Sequence, residues 1–539
     1  MRSIRWKQVG VAALMGALVL SGCARDGTDD DAGTDGGAPQ EESVYTEGMV
    51  GPQTDGGEPQ EGGNLTWTAF LEPRTLDPAA TIASASTGGV EMNNIFDTLM
   101  RYDAESGELV PQLAESLEAN DDFTEFTITL RSGLTFHDGT DLDAEAVKWS
   151  MERYAAAERA PEGLLWRTNV QSVEAVDATT VKITLNERYP TFGNMLSTGP
   201  GMIVAEASDA GGPEAFDAIG AGPFKVQSIS TGEAITLEAF DDYWDGRPYL
   251  DTVRFAYLDN QQAGIDAMRN GDVQTVFLRD PDKVDEMLQE GKSGYVNMVA
   301  ASNAAIINES SDAGSDLRVR QAFAMAIDPQ IIHDRAYDGT GIPTLRLFPE
   351  YSQWYNESVP ELEYNPEEAK RLLEEAKADG YTGKIHFIDG QDEGSRATAL
   401  AVQAQLEAVG FEVETELLRT AADQITRALA GDYEYLGWGV SIREFDPYAK
   451  MAAAMHSEGT QVYGMPTTPE MDELIEQLKA AEPDEAKEIM AEIETQYVET
   501  VPFITWAPFA EATMWGDNVS GVEGASNSMV SFKKAFLVG

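Results

Sequence analysis

From Asn365 onward the apolar residues recur first at helical spacing and then at strand spacing, several times over, and few folds accept a chain that alternates these two periods. Asn365 as cap, Pro366 at the first helical position and Glu368 near the third predict a helix with Ala369, Leu372, Leu373 and Ala376 on its apolar face, stopping near Gly380. Residues 385–388 read as the next strand. A second helix is expected over 398–409, ending at Gly410, and Phe411, Val413 and Thr415 then alternate with glutamates. Two more amphipathic helices are expected over 471–479 and 484–497. Strands interleaved with helices define an α/β domain.

Upstream the pattern is richer in strands. Phe126, Ile128 and Leu130 alternate with polar residues, as do Val181, Ile183 and Leu185, and between them residues 143–157 are helix-prone behind an Asp143 cap. Order is expected to begin at Gly62-Gly63-Asn64-Leu65-Thr66-Trp67, where turn glycines give way to a strand, followed by a turn at Thr75-Leu76-Asp77-Pro78. A chain of 539 residues exceeds one typical domain, so two or three are expected.

The N-terminus reads as an export signal. Arg2, Arg5 and Lys7 precede an apolar run over 9–20, too short to span a bilayer comfortably. The run ends in Leu20-Ser21-Gly22-Cys23, which resembles the bacterial lipobox, and this implies acylation of Cys23, the only cysteine, after removal of residues 1–22. Two or three acyl chains anchor a protein stably where one does not. Residues 23–61 are rich in Asp, Glu, Gly and Pro and are expected to be a disordered acidic tether spanning roughly 35 Å.

Composition removes several kinds of chemistry. With 93 acidic against 37 basic side chains the formal net charge is −56, a field that repels nucleic acid. One cysteine excludes a disulfide framework and a thiolate zinc site, and His137, His333, His386 and His456 are scattered without metal-ligand spacing. There is no Gly-x-Ser-x-Gly elbow and no His-Glu-x-x-His, and Gly291-Lys292-Ser293 lacks a phosphate-loop glycine because Glu286 occupies its place. His137-Asp138-Gly139 reads as a turn. No catalytic residue, metal or cofactor is expected.

Several segments, in order, resemble the extracytoplasmic solute-binding lipoproteins of peptide-type ABC importers, the family of oligopeptide-, dipeptide- and nickel-binding proteins known as solute-binding protein family 5. The pieces are Gly62-Gly63-x-Leu65 with Leu76-Asp77-Pro78; Ile95-Phe96-Asp97-Thr98-Leu99 and Val110-Pro111-Gln112-Leu113-Ala114-Glu115-Ser116; Leu130-Arg131-x-Gly133-Leu134-x-Phe136-His137-Asp138-Gly139; Gly220-Ala221-Gly222-Pro223-Phe224; Tyr243-Trp244; Val319-Arg320-Gln321-Ala322-Phe323; and Asp446-Pro447. The resemblance implies a periplasmic-binding-protein-like α/β fold, two lobes around a cleft with an extra domain and mixed sheets flanked by helices. Domain I would comprise 62–91, 220–299 and 506–539, domain II 92–219 and domain III 300–505, with chain crossings near Ala300 and Thr505 as the hinge. It also implies a monomer that binds a peptide or small solute and delivers it to an ABC permease and ATPase on the extracytoplasmic face of the membrane.

The family's cleft segment corresponds to residues 437–447, which makes Trp438 the expected platform, with Ser441 and Asp446 beside it. The Asp that holds a peptide's amino terminus in peptide binders is missing. Glu444 is the candidate ammonium partner, and Arg443 the candidate for an anionic group. After residue 388, where dipeptide-type members carry an Arg for the ligand carboxylate, this chain offers Asp389 and Gln391. Trp354 is a further candidate stacking surface. A peptide held by its backbone, an opine, an oligosaccharide or a cationic metabolite are all compatible with these residues, and the rival readings are a secreted hydrolase and a chemosensory receptor.

Overall fold

The computed structural model describes residues 45–53, 56–103, 106–212, 215–258 and 260–538. The signal over 1–22, Cys23 and the tether up to residue 44 lie outside the described residues.

Helices form where caps and apolar faces coincide. The Asn365 side chain accepts from the Glu368 amide at 3.1 Å and opens the helix Pro366–Ala378, whose buried residues are the four expected from the pattern. Asp143 accepts from the Ala146 amide at 3.0 Å and opens Ala144–Ala156. The helix expected from residue 398 begins earlier, as Glu393–Val409, because Asp392 caps it by accepting from the Ser395 amide. It ends at Gly410, whose φ of 106° only glycine adopts cheaply.

A twelve-stranded mixed sheet organises the molecule. Its main path runs Glu412–Leu418, Lys384–Gly390, Tyr435–Gly437, Ser293–Ile307, Phe503–Trp515, Thr275–Leu278, Asn64–Ala69, Thr252–Tyr257, Ala234–Ala239 and Phe224–Ser230. The two long strands in the middle, Ser293–Ile307 and Phe503–Trp515, run antiparallel and pass from one half of this sheet to the other. Their register shifts twice in close succession: Val299 pairs with Phe509 and Asn303 with Ala507, so Ala300, Ala301 and Ser302 stand opposite Pro508 alone, and Ala304 then pairs with Thr505, skipping Trp506. Proline has no amide hydrogen to give the ladder, and the extra residues bulge, with Ala301 at a φ of 50°. The irregularity lies where the chain crossings are expected.

A separate four-stranded antiparallel sheet, Ala114–Ala119, Glu125–Leu130, Thr180–Leu185 and Val170–Ala175 in that paired order, carries the predicted alternation: Ile128 faces Val181 in register. Family segments far apart in sequence meet here. Asp97 is buried and accepts from the Tyr243 hydroxyl at 2.9 Å and the Trp244 indole at 3.0 Å. Gly222 packs so tightly on the backbone of Asn94 and Ile95 that a Cβ would sit 2.6 Å from the Ile95 carbonyl oxygen. The His137 ring contacts the Gly222 carbonyl at 3.0 Å and Phe240 edge-on, a scaffold role.

Order does not wait for Gly62. Gly48–Val50 forms a strand on the edge of Ser293–Ile307, pairing Gly48 with Val296, and Tyr45 is buried with its hydroxyl donating to the Pro281 carbonyl at 3.1 Å. The expectation of a disordered tether through residue 61 is therefore corrected. Tyr45 and Val50 are large apolar residues in an otherwise polar stretch, and they reach the cluster of Ile265, Val284 and Met287.

Candidate ligand-binding cleft

A cavity of about 1160 Å³ opens among the two halves of the large sheet and the helix Gly163–Asn169. Its volume suits a small solute or short peptide.

The segment after Gly437 forms one wall, and its residues alternate in facing although only Ile442–Arg443 is strand. Ser441, Arg443 and Phe445 line the cavity, whereas Val440, Ile442 and Glu444 are buried and face away from it. Trp438 is half-buried, lines the cavity and donates its backbone N–H to the Ala304 carbonyl at 2.9 Å. Asp446 also lines the cavity, and burial, with the Glu162 charge adding to it, pushes its carboxyl up to about 7. Ser441 holds a φ of 63° beside the hinge bulge, its amide donating to the Ala301 carbonyl.

Arg443 lines the cavity yet is committed. Its guanidinium donates to Glu511 at 2.8 Å, Ser528 at 2.9 Å, Asn297 at 3.1 Å and Ser84 at 3.1 Å. Burial alone would raise Glu511, but the charges of Arg443 and Arg279 and the Ser528 hydrogen bond outweigh it and hold the carboxyl below its usual range.

Three sequence candidates do not reach the cavity. Glu444 is buried behind the wall, where Ser352 donates to its Oε2 at 2.9 Å and its Oε1 has no hydrogen-bond partner among the described residues. Trp354 packs under the same residue, donating its indole N–H to the Glu444 carbonyl at 3.0 Å, so it supplies no stacking surface to the cavity. Gln391 is exposed and its amide donates to the Leu418 carbonyl. Glu444 is thus no ammonium partner, because alternation turns it away from the ligand space.

Asp389 does reach the cavity, close to Asp280 and Asp392, all three among its lining residues. Burial first, then the Asp392 charge, push Asp389 up to about 8 against the lowering effect of the Gly390 amide.

Sequence pattern gave no warning of Arg279. Its guanidinium lies 4.4 Å from the Phe509 ring centroid and 5.0 Å from that of Phe70, at the cavity wall. Nothing in the local sequence distinguishes it from a solvated arginine, since its two rings come from segments remote in the chain. Lys450 is the other cation missed; burial, with Arg443 contributing, lowers it to about 8 while Gln461 accepts from its ammonium.

A cavity between two sheet halves joined by two crossing strands, lined by side chains from every part of the chain, defines a solute-binding protein. Residues 108–462 match the model of the bacterial extracellular solute-binding proteins, family 5. The chain is 30% identical over 392 residues to the oligopeptide-binding protein AppA of Bacillus subtilis, covering 68% of this chain and 71% of that protein. It is 25% identical over 405 residues to the dipeptide-binding protein of Escherichia coli, covering 69% and 75%. The structure of AppA from Bacillus subtilis in complex with a nonapeptide superposes with a TM-score of 0.76 at 24% identity, covering 89% of this chain and 100% of that one. The chain belongs to the family 5 solute-binding proteins, the non-catalytic substrate-binding components of ABC importers for peptides or related solutes.

Proposed function

We propose that this protein captures a peptide-like or other polar solute in the cavity beside Trp438, closes over it by bending at Ala300–Ser302 and Pro508, and presents the closed form to a membrane permease while held to the membrane through a lipid on Cys23. The observation that supports this reading most is the placement of the cavity across the register break in the two crossing strands, since bending there changes the cavity width. Relatives named for oligopeptide and dipeptide binding support the solute class. Capture at micromolar affinity needs only about 8 kcal/mol net, within reach of one aromatic platform and a few desolvated hydrogen bonds.

Mass spectrometry of the protein purified from its native cells tests the capture. A small polar molecule released on denaturation, and returned chemically intact after long incubation, is the expected result; conversion of that molecule argues for an enzyme instead. For the anchor, Cys23→Ala is expected to release processed protein into the medium, and continued membrane retention of that form overturns the lipid tether.

A further inference from the structure

The pocket wall around Asp389 is the least explained part of the cleft. The strand Lys384–Gly390 lies beside Tyr435–Gly437, and at the end of this pairing the Asp389 carboxyl presses against Gly437 so closely that a Cβ there would lie 2.4 Å from its Cγ. Only a glycine leaves that notch open. Asp389 is 5% exposed, lines the cavity, and among the described residues its carboxyl has one hydrogen bond, from its neighbour's Gly390 amide at 2.7 Å. Nothing else occupies its second oxygen.

What surrounds it is acidic or neutral. Asp280 stands before the helix Pro281–Gln289, Asp392 caps the helix Glu393–Val409, and the Tyr337 hydroxyl, which accepts from Asn303 at 3.3 Å, senses both Asp280 and Asp389. In the second turn of the capped helix, Thr398 is 2% exposed and lines the cavity, and its hydroxyl, beside that of Tyr337, has no hydrogen bond of full geometry among the described residues. Two cations stand on the Asp280 side, Arg279 over its two aromatic rings and Lys283 paired with Asp282 at 2.9 Å, and both feel the Asp280 charge, whereas neither acts on Asp389. A buried carboxyl and a buried hydroxyl, both with unused hydrogen-bonding capacity, face the same space beside two more carboxylates.

We infer that Asp389, Asp280 and Asp392, with the Thr398 hydroxyl, form the seat for a positively charged organic group of the ligand, an ammonium or guanidinium. The three carboxyl groups approach from both halves of the large sheet, so a cation between them favours the closed cleft, and the neighbouring Trp438 ring offers its alkyl stem an apolar face. Burial, with the Asp392 charge adding to it, favours a proton on Asp389, which an arriving cation displaces. The inference rests on the capture reading and specifies its ligand.

Native mass spectrometry of the full chain with an equimolar mixture of tripeptides of the form alanine-X-alanine tests it, where X is lysine, arginine, norleucine, glutamine or glutamate. The lysine and arginine members are expected to be retained about tenfold over the norleucine member, the equivalent of roughly 1.4 kcal/mol. That preference is expected to vanish in Asp389→Asn, which keeps the shape of the buried acid, and to fall in Asp392→Asn, whose asparagine still caps the helix. Retention indifferent to X, unchanged by either variant, overturns the cation seat while leaving capture intact. Retention of no tripeptide at all counts against capture and the seat together. Tight binding of calcium alone, lost in Asp389→Asn, replaces the organic group by an inorganic ion and overturns the inference as stated.

Discussion

Arg443 and Glu511 form a buried ion pair at 2.8 Å that ties the short strand Ile442–Arg443 to the long strand Phe503–Trp515. Arg443 stands in register with Val299, the last residue before the bulge, and Glu511 with Asn297, so the pair sits on one side of the bulge and pins the segment that returns from the other half of the sheet. Ser528 donates to the same carboxyl at 2.6 Å, and Asn297 links the cluster to Glu47 at 3.0 Å on the N-terminal segment. The cluster reads as hinge structure that also colours the cavity wall.

Removing one partner therefore leaves the other buried without compensation. Glu511→Gln and Arg443→Gln are each expected to lower unfolding free energy by about 3–5 kcal/mol, and the double variant to cost less than the sum of the two. Urea denaturation of the three proteins checks this. Additive losses would mean that the two groups do not depend on each other.

Glu444, the next residue, gives a pH prediction. Burial first and the Glu47 charge with it push its carboxyl up to about 8, against hydrogen bonds from Ser352 and Gln353. Between its ordinary value of 4.5 and about 8 the folded protein holds a proton that the unfolded chain has released. The unfolded state binds fewer protons, so this contribution to stability is whole below the ordinary value and is lost as pH rises through about 8. Glu444→Gln has no such loss: relative to wild type it should gain stability from pH 5 to pH 8.5. A difference that stays constant over that range would place the ionisation elsewhere. Ligand affinity is expected to be unchanged, because the side chain faces away from the cavity.

The contrast between these neighbours shows what was legible. Period-two alternation over 440–445 was present in the residues themselves, and applied strictly it separates Ser441, Arg443 and Phe445 from Val440, Ile442 and Glu444. Caps such as Asn365 and Asp143, and the helices behind them, were equally local and were correctly expected. Arg279 was not legible, because its partners Phe70 and Phe509 come from distant segments of the chain. The strand Gly48–Val50 was hidden too, since a three-residue edge strand has no periodicity of its own and exists only by pairing with Ser293–Ile307.

Trp438 is expected to report ligand directly. It lines the cavity at half burial, so ligand contact should shift its emission, and Trp438→Ala should weaken binding by about 1–3 kcal/mol. The truncated ring also packs on the core, so some stability is lost as well. Comparison with Trp438→Phe separates the two roles: phenylalanine keeps an aromatic face and should recover most of the affinity. An affinity untouched by both changes would remove Trp438 from the site.

Closure itself should leave a calorimetric mark. Leu71, Ile82, Leu164, Leu258 and Ile425 are exposed large apolar residues that all line the cavity, and they come from segments on different sides of it. Solvent contact at such side chains is costly, roughly 25 cal/mol for each Å² of apolar surface, so bringing the rims together around a ligand is favourable. Burying apolar surface makes the heat-capacity change of binding negative. Titration calorimetry at several temperatures is therefore expected to show a distinctly negative slope of enthalpy with temperature, shallower in the double variant Ile82→Ser with Leu164→Ser. The variant is also expected to bind more weakly while unfolding at nearly the wild-type temperature, because exposed residues contribute little to the core. A slope equal in both proteins would mean that these rims do not meet when ligand binds, and that closure is either small or directed elsewhere.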